Sequence, residues 1–325
     1  MKLTRRHFVR LAAGAASMPA LPWAARAQAY PTRPITVMVF VGPGGTPDII
    51  ARVIGQALTQ RLGQSVLVEN RPGGAGNIAL QAVARAPADG YTLLQVATPH
   101  AINVTLYEKS PVNVMSDIVP IAGTNSDSFV MLVPAAFPAK TVPELIAYAK
   151  ANPGKVNVAS AGTANLTHLS AELFRMRTGI DWVHVPFRGS PAAHAALLAG
   201  EVQVMFDAVA AALPHIQSGA LRALGVSATA RMRVLPDIPP IGDFVPGFEV
   251  TGWLGYGAPK GTPAEIITRL HREVNAALAD PAINARLLEL GSVPRPGSTA
   301  DFSRLIADET EKWGKVIKFA GIKAE

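Results

Sequence analysis

Short apolar runs alternate with segments of helical spacing along this chain, from Ile35 to Val226. Runs rich in Val, Ile and Leu, such as residues 35–41 and 221–226, predict strands, whereas segments such as residues 166–178 predict helices. Strands separated by helices pair in parallel through right-handed crossovers, and uniformly apolar strands are buried on both faces. The alternation therefore predicts an α/β fold whose parallel sheets are flanked by helices.

The strand–helix units fall into two blocks, which we expect to form two lobes. The first block covers residues 28–126 and the second covers residues 127–252. Helices predicted within residues 253–325 cannot form a core alone, so we expect them to complete the first lobe. Two lobes joined by segments that cross near Asp127 and Gly252 enclose a cleft, and open α/β sheets bind ligands beyond the carboxyl ends of their strands.

The N-terminal segment reads as an export signal and not as part of the fold. Residues 1–27 hold five basic residues and no acidic residue, followed by a short apolar stretch and small residues. This order predicts a secretory signal that is cleaved after Ala27 or Ala29. The adjacent Arg5 and Arg6 are typical of a twin-arginine signal, and an ordinary Sec signal is the alternative.

The charge that remains after removal of this signal argues against a nucleic-acid partner. The whole chain carries a net charge of +7, but five positive charges belong to residues 1–27, which leaves +2 and no basic run. The absence of cysteine excludes disulfides, iron–sulfur clusters, cysteine-ligated zinc and a thiol nucleophile. No stretch beyond the signal is long and apolar enough to span a membrane.

Two loops at predicted strand ends carry small residues that leave backbone N–H groups accessible. Glycines that precede a helix N-terminus favour an anion, and a carboxylate has two oxygens that facing loops can share. The first loop, residues 42–48, lacks the lysine of a nucleotide P-loop, and a plain turn capped by Thr46 is the alternative. Its candidate ligand-binding residues are Gly44, Gly45, Thr46 and Asp48; those of the second loop are Ser160, Ala161, Gly162, Thr163 and Asn165.

Further candidates follow other predicted strands. Thr98 ends the third strand, Phe187 and Arg188 supply an aromatic ring and a cation, and Asp207 supplies a carboxylate. His168 follows the second loop by one helical turn and either contacts the ligand or stabilises that turn. The alternatives are an ordinary core residue for Phe187 and a solvated surface residue for Arg188.

Signatures of cofactors, metals and catalysis are weak or absent. Residues 74–79 fit G-x-G-x-x-A, but they follow the second strand, and no acidic residue at residues 97–99 could hold a ribose. Neither G-x-S-x-G nor H-E-x-x-H occurs, and the histidines show no metal spacing. We therefore expect no cofactor, no metal and no catalysis. The alternative is an exported α/β enzyme that uses Asp48, His168 or Asp207 as acid or base.

Motifs spread over nearly the whole chain after the signal resemble one family. They include Tyr30-Pro31-Thr32-Arg33-Pro34-Ile35, Val68-Glu69-Asn70-Arg71-Pro72-Gly73, Asp89-Gly90-Tyr91-Thr92-Leu93-Leu94, Val183-His184-Val185-Pro186-Phe187-Arg188-Gly189, Val204-Met205-Phe206-Asp207, Ala258-Pro259-Lys260-Gly261-Thr262-Pro263 and Lys312-Trp313-Gly314-Lys315-Val316-Ile317. The chain resembles the substrate-binding receptors of tripartite tricarboxylate transporters, often called Bug proteins.

The resemblance implies a type II-like periplasmic binding protein fold, whose two lobes close on a ligand. It also implies location in the periplasm of a Gram-negative bacterium, a small organic carboxylate as ligand, membrane transporter subunits as partners, and a monomer. A sensory role, in which the closed receptor contacts a signalling partner, is the close alternative. Phe40-Val41, Ala164 and Ala208 depart from the usual family pattern, so the resemblance names the class of ligand and not the ligand.

Overall fold

The computed structural model describes residues 30–324, so the predicted signal at residues 1–27 lies outside the described residues and stays a prediction. Within residues 30–324 the chain forms ten strands: β1 (Ile35–Val39), β2 (Val66–Asn70), β3 (Thr92–Ala97), β4 (Ile118–Pro134), β5 (Asn157–Ser160), β6 (Val183–Pro186), β7 (Val204–Ala208), β8 (Leu221–Val226), β9 (Thr251–Pro259) and β10 (Val293–Pro294).

Helices separate most of these strands. Within residues 30–324 they are α1 (Thr46–Leu62), α2 (Asn77–Ala84), α3 (Thr98–Leu106), α4 (Val114–Asp117), α5 (Val142–Ala151), α6 (Leu166–Thr178), α7 (Ser190–Ala199), α8 (Val209–Gln217), α9 (Ala264–Leu278), α10 (Pro281–Glu289) and α11 (Thr299–Ala320). None of the described helices is both long and apolar enough to cross a lipid bilayer.

The strands form one continuous sheet that serves both lobes. Its order is β2-β1-β3-β9-β4-β7-β5-β6, and β8 and β10 also pair with β4. The outer strands pair in parallel, β1 with β2 and β3, and β5 with β6 and β7, as the alternation predicts. Every antiparallel pair involves β4 or β9, the two strands at the centre, because these strands run between the lobes instead of belonging to a βαβ unit.

Strand β4 connects the two lobes by changing partners along its length. Residues 118–128 pair with β9, whereas Phe129 and the residues after it pair with β7 and β8. At the change, Ser227 donates its N–H to the Phe129 carbonyl at 2.8 Å, and its hydroxyl accepts the Phe129 N–H at 2.8 Å and donates to the Val250 carbonyl. The predicted lobe boundaries near Asp127 and Gly252 lie beside this junction, and the division into lobes at these residues stays a prediction.

Each lobe has its own apolar core. In the first lobe, buried side chains of β1, β3 and β9 pack against α1, α9 and α10, with Ile54 and Leu270 as examples. In the second lobe, Phe174 of α6 stacks on Trp182 and contacts Phe206 of β7. Burial of one such side chain contributes about 1.5–3 kcal/mol, so each core holds its lobe's helices on the sheet.

Helix α11 belongs to both lobes, although the sequence assigns residues 253–325 to the first lobe alone. Phe302 and Ile306, in its first half, lie in the first-lobe cluster with Trp253. Trp313 and Val316, in its second half, lie in the second-lobe core. The helix therefore forms a third connection between the lobes, in addition to β4 and the segment that leads into β9.

Candidate functional site

A cavity of about 550 Å³ lies between the two lobes. The first lobe supplies the ends of β1 and β3 together with residues 73–76, and the second lobe supplies residues 163–166. The crossing strands contribute Asp127 and residues 252–254, and the segment after α11 contributes Lys323 and Ala324. A ligand in this cavity would touch both lobes and the segments that join them.

Three helix N-termini meet at this cavity. Thr46-Pro47 begins α1, Thr98-Pro99 begins α3 and Asn165-Leu166 begins α6, and all six residues line the wall. The first-turn N–H groups of a helix have no intrahelical partner, and the helix dipole places about half a positive charge there. The arrangement therefore favours an anion, with contributions from both lobes.

Asn165 is held in place by capping α6. Its Oδ1 accepts the N–H of Thr167 at 2.8 Å and of His168 at 3.3 Å, which is the usual role of an asparagine at this position. The same oxygen also accepts the Thr167 hydroxyl at 2.5 Å. Because these bonds occupy the oxygen, the amide nitrogen of Asn165 is the part that a ligand in the cavity can use.

Asp48 acts on the loop and not on the cavity. Its carboxylate is 2% exposed and accepts the Gly44 N–H at 2.9 Å, the Arg52 guanidinium at 2.8 Å and the Asn70 amide at 2.8 Å. Burial raises the pKa of Asp48, but the hydrogen bonds from Arg52, Gly44 and Asn70 outweigh it and lower the pKa to about 2. A carboxylate with all its partners inside the first lobe fixes the loop before α1.

Most donors of the second loop are also used within the protein. The Ala161 N–H binds the Thr167 hydroxyl at 2.8 Å, the Gly162 N–H binds the Ser160 hydroxyl at 3.3 Å, and the Ala164 N–H binds Nδ1 of His168 at 3.1 Å. The loop therefore keeps its shape by internal bonds. It presents the side chains of Thr163 and Asn165 to the cavity, not a row of free backbone donors.

A stacked pair of neutral histidines supports this loop. The rings of His168 and His184 lie 3.5 Å apart at 6°, and Nε2 of His184 is 2.6 Å from the Ser160 hydroxyl. Burial lowers the pKa of His184 to about 4. Burial, followed by the nearby His184 and Arg175, lowers the pKa of His168 to about 3. Both rings are thus uncharged at neutral pH, which lets Nδ1 of His168 accept the Ala164 N–H.

Most of this chain matches the model of one protein family. The family model for the tripartite tricarboxylate transporter family receptor matches residues 50–322. The chain belongs to this receptor family. Members of this family are periplasmic substrate-binding receptors and not enzymes, as the resemblance in the sequence implies.

Individual members of the receptor family agree over most of their length. Protein BugT of Bordetella pertussis is 36% identical over 300 residues, which cover 91% of this chain and 92% of BugT. The structure of R. palustris Rpa4515 with adipate is 35% identical with a TM-score of 0.77, covering 90% of this chain and 99% of that one. MatC of Rhodopseudomonas palustris with bound malate is 33% identical with a TM-score of 0.73, covering 89% and 100%. These similarities confirm the predicted two-lobed binding-protein fold.

The structure brings together only some of the residues that the sequence proposes for this receptor's site. Thr46, Thr98, Thr163 and Asn165 line the cavity. Thr98 is buried, and its hydroxyl accepts the Trp253 N–H at 3.0 Å, so it also ties α3 to β9. The other proposed residues do not line the cavity in this structure: Gly44, Gly45, Asp48, Ser160, Ala161, Gly162, His168, Phe187, Arg188 and Asp207.

Phe187, Arg188 and Asp207 have roles inside the second lobe or on its surface. Phe187 is half-buried and packs on the apolar cluster of β5 and β7, and Arg188 is exposed. Asp207 is 2% exposed and accepts the Ser190 hydroxyl at 3.0 Å, and its other oxygen lies 3.0 Å from Nε2 of His194. That Phe187, Arg188 and Asp207 contact the ligand stays a proposal, which applies to a closed form of the receptor.

Several wall residues were not proposed from the sequence. They are Asn103 of α3, Tyr107 directly after α3, Asp127 of β4, and Lys323 after α11. Helix α3 follows β3 as α1 follows β1, and this repetition of strand end and helix N-terminus is the signal that could have identified Asn103. Lys323 reaches the wall because α11 packs on both lobes, and no local pattern shows this packing.

The pairs that could suggest an enzyme lie away from the cavity. Ser160 is fully buried beside His184, and Asp207 is buried beside His194, so a substrate in the cavity reaches neither pair. Within residues 30–324 no group of three or more metal-ligating side chains is assembled. The geometry accordingly supports binding and not acid–base chemistry.

Proposed function

We propose that this receptor captures a small organic carboxylate between its lobes in the periplasm and presents it to membrane transporter subunits. One observation carries the proposal: the N-termini of α1, α3 and α6 converge on one cavity that both lobes line. An anion there interacts with three positive helix ends, whose combined attraction is larger than any single end supplies. The adipate and malate in Rpa4515 and MatC support the choice of a carboxylate.

Ligand binding would favour the closed form of the receptor over the open form. Thr46 and Thr98 stand on the first lobe, and Thr163 and Asn165 stand on the second. A ligand that touches both sets binds the closed form better than the open one, and this difference in affinity shifts the population toward closure. The junction of Phe129, Ser227 and Val250 lies where the lobes would rotate. The closed receptor then acts as a monomer that the transporter recognises.

A calorimetric panel tests the proposed ligand class. Purified protein is titrated with mono-, di- and tricarboxylates, and each carboxylate that binds is compared with its neutral amide. We expect a carboxylate to bind and its amide to bind at least about tenfold more weakly, because the amide has no charge to interact with the helix ends. Equal binding of an acid and its amide would contradict the proposal.

The variant Asn165→Asp tests the site, because Asp caps a helix as well as Asn does and the fold is therefore kept. A negative charge on the cavity wall should weaken carboxylate binding about tenfold or more. Asn113→Asp is the matched control: Asn113 caps α4 with its Oδ1 at 2.9 Å from the Met115 N–H, and it does not line the cavity. Unchanged affinity in Asn165→Asp, or equal loss in both variants, would speak against this site.

A further inference from the structure

The charges on the cavity wall are nearly balanced. Among the described residues that line it, Lys323 is the one cation and Asp127 is the one carboxylate, and no arginine is present. Lys323 is exposed, so solvent screens its charge. The helix N-termini are therefore the main attraction for an anion. The hydroxyls of Thr46 and Thr163 and the amide nitrogen of Asn165 lie at or beside these ends and can donate to the two oxygens of one carboxylate group.

The remaining wall is largely apolar. Side chains that would contact the body of a ligand include Phe40, Val41, Ile102, Leu106, Leu166 and Leu254. Apolar walls gain free energy by covering apolar ligand surface, whereas they leave a second charged group without partners. The lining thus fits a hydrocarbon chain or ring better than a ligand that is charged at both ends.

Asp127 makes a second carboxylate still less favourable. On β4, Asp127 is the antiparallel neighbour of Gly252 on β9, and both residues line the cavity. One of its oxygens accepts the Ser292 hydroxyl at 2.5 Å and the Asn125 amide at 3.4 Å. Burial raises the pKa of Asp127, although these two neutral donors act against it. Both side-chain partners of Asp127 in the described part of the chain are neutral, so an ionised Asp127 presents a nearby ligand carboxylate with a like charge that no bonded cation offsets.

We infer that the cavity selects a monocarboxylate with an apolar body and that Asp127 excludes a second carboxylate. This inference rests on the proposed carboxylate-receptor function and narrows it to one class of ligand. It assigns to Asp127 a role in specificity: the side chain discriminates by repulsion against ligands that the helix ends alone would attract.

Two pairs of probes that differ in one carboxylate test the inference. Hexanoate is compared with adipate, and benzoate with terephthalate, by calorimetry on the wild-type chain. We expect at least one monocarboxylate to bind about tenfold or more tightly than its dicarboxylate partner. In Asp127→Asn the ratio of monocarboxylate affinity to dicarboxylate affinity should shrink by about threefold or more. The substitution removes the like charge but keeps an oxygen that accepts the Ser292 hydroxyl.

Glu311→Gln is the matched control, because it also removes one negative charge. Glu311 lies on α11, does not line the cavity and pairs with the exposed Lys315. The ratio should not change in this variant. If Asp127→Asn does not fold, the ratios of monocarboxylate to dicarboxylate affinity in the wild type test the inference alone. Dicarboxylates that bind as tightly as, or more tightly than, both monocarboxylates would overturn the inference and leave the proposed function standing. Absence of binding by all four acids would overturn the inference, whereas the proposed function fails only if no acid of the calorimetric panel binds.

Discussion

Three histidines whose pKa is lowered by burial, His100, His168 and His184, make the stability of this receptor depend on pH. His168 is 5% exposed and His100 is fully buried, and burial lowers the pKa of His100 to about 4, although the Gly76 and Ala97 backbone bonds act against it. In the unfolded chain histidine titrates near 6.5. The folded pKa is thus below the unfolded one, so the unfolded state takes up protons first as the pH falls. Stability is full above about pH 6.5 and decreases toward the folded pKa values of about 3 to 4.

His168→Gln tests this linkage. Glutamine keeps an oxygen that can accept the Ala164 N–H but cannot bind a proton in this range. Between pH 6 and pH 4 the free energy of unfolding of the variant should fall less steeply than that of the wild type, by about 1.4 kcal/mol per pH unit. Urea unfolding followed by tryptophan fluorescence measures both slopes. Identical slopes would mean that His168 is not neutral in the folded state.

At the level of residues, the sequence identifies the loops but not which of their groups are free. Residues 42–48 and 160–165 do stand at strand ends before helices, as their glycines and small residues indicate. The Gly44 N–H, however, is bound by Asp48, which is itself held by Asn70, 22 positions away. A donor's availability depends on side chains that the fold brings from elsewhere, and a local pattern contains no information about them.

At the level of elements, strands and helices of βαβ units follow from the sequence, whereas the central strands do not. Strand β8 and helix α6 lie at their predicted bounds, residues 221–226 and 166–178. The sequence predicts crossing segments near Asp127 and Gly252, but it predicts no strand over the first half of β4 or over β9. Glycine is depleted in strands, and β9 contains three glycines, Gly252, Gly255 and Gly257, so its propensity argued against a strand. Contacts with neighbouring elements decide its conformation instead.

Gly255→Ala tests why β9 needs its glycines. A Cβ at this position would lie 2.6 Å from the Ala122 carbonyl oxygen and would also overlap the Phe302 ring. Such overpacking should lower the free energy of unfolding by about 1–3 kcal/mol. Gly42→Ala is the control, since nothing lies within 4 Å of its Cβ, and it should be neutral or slightly stabilising. Thermal unfolding of both variants compares them, and equal melting temperatures would contradict the packing argument.

At the level of the whole molecule, the lobes share three connections, so their relative motion is restricted. Strand β4 and the segment from Val250 into β9 lie side by side, and α11 packs on both lobes. A 22-residue helix spans about 33 Å and does not bend easily. We therefore expect closure by a rotation in which α11 stays whole, with the change in dihedral angles confined to a few residues near Phe129 and Val250.

Small-angle X-ray scattering checks this motion. A saturating carboxylate ligand found in the calorimetric panel should reduce the radius of gyration of the wild-type protein, because the cavity between the lobes narrows. The same concentration should cause a smaller reduction in Asn165→Asp, which binds more weakly, and the usual reduction in Asn113→Asp. An unchanged radius of gyration at proven saturation would show that binding occurs without closure.

Because β4 is one uninterrupted strand of 17 residues, it also constrains how this sequence can change over time. Side chains alternate between the two faces of a strand, so the insertion or deletion of one residue reverses the faces of everything beyond it. In β4 such an indel would turn one lobe's core positions outward while leaving the other lobe intact. Register shifts after Pro120 and Gly123 mark where β4 already accommodates an extra residue, whereas the shift after Met131 has its extra residue in β8. Elsewhere in β4, we expect related sequences to keep a fixed length.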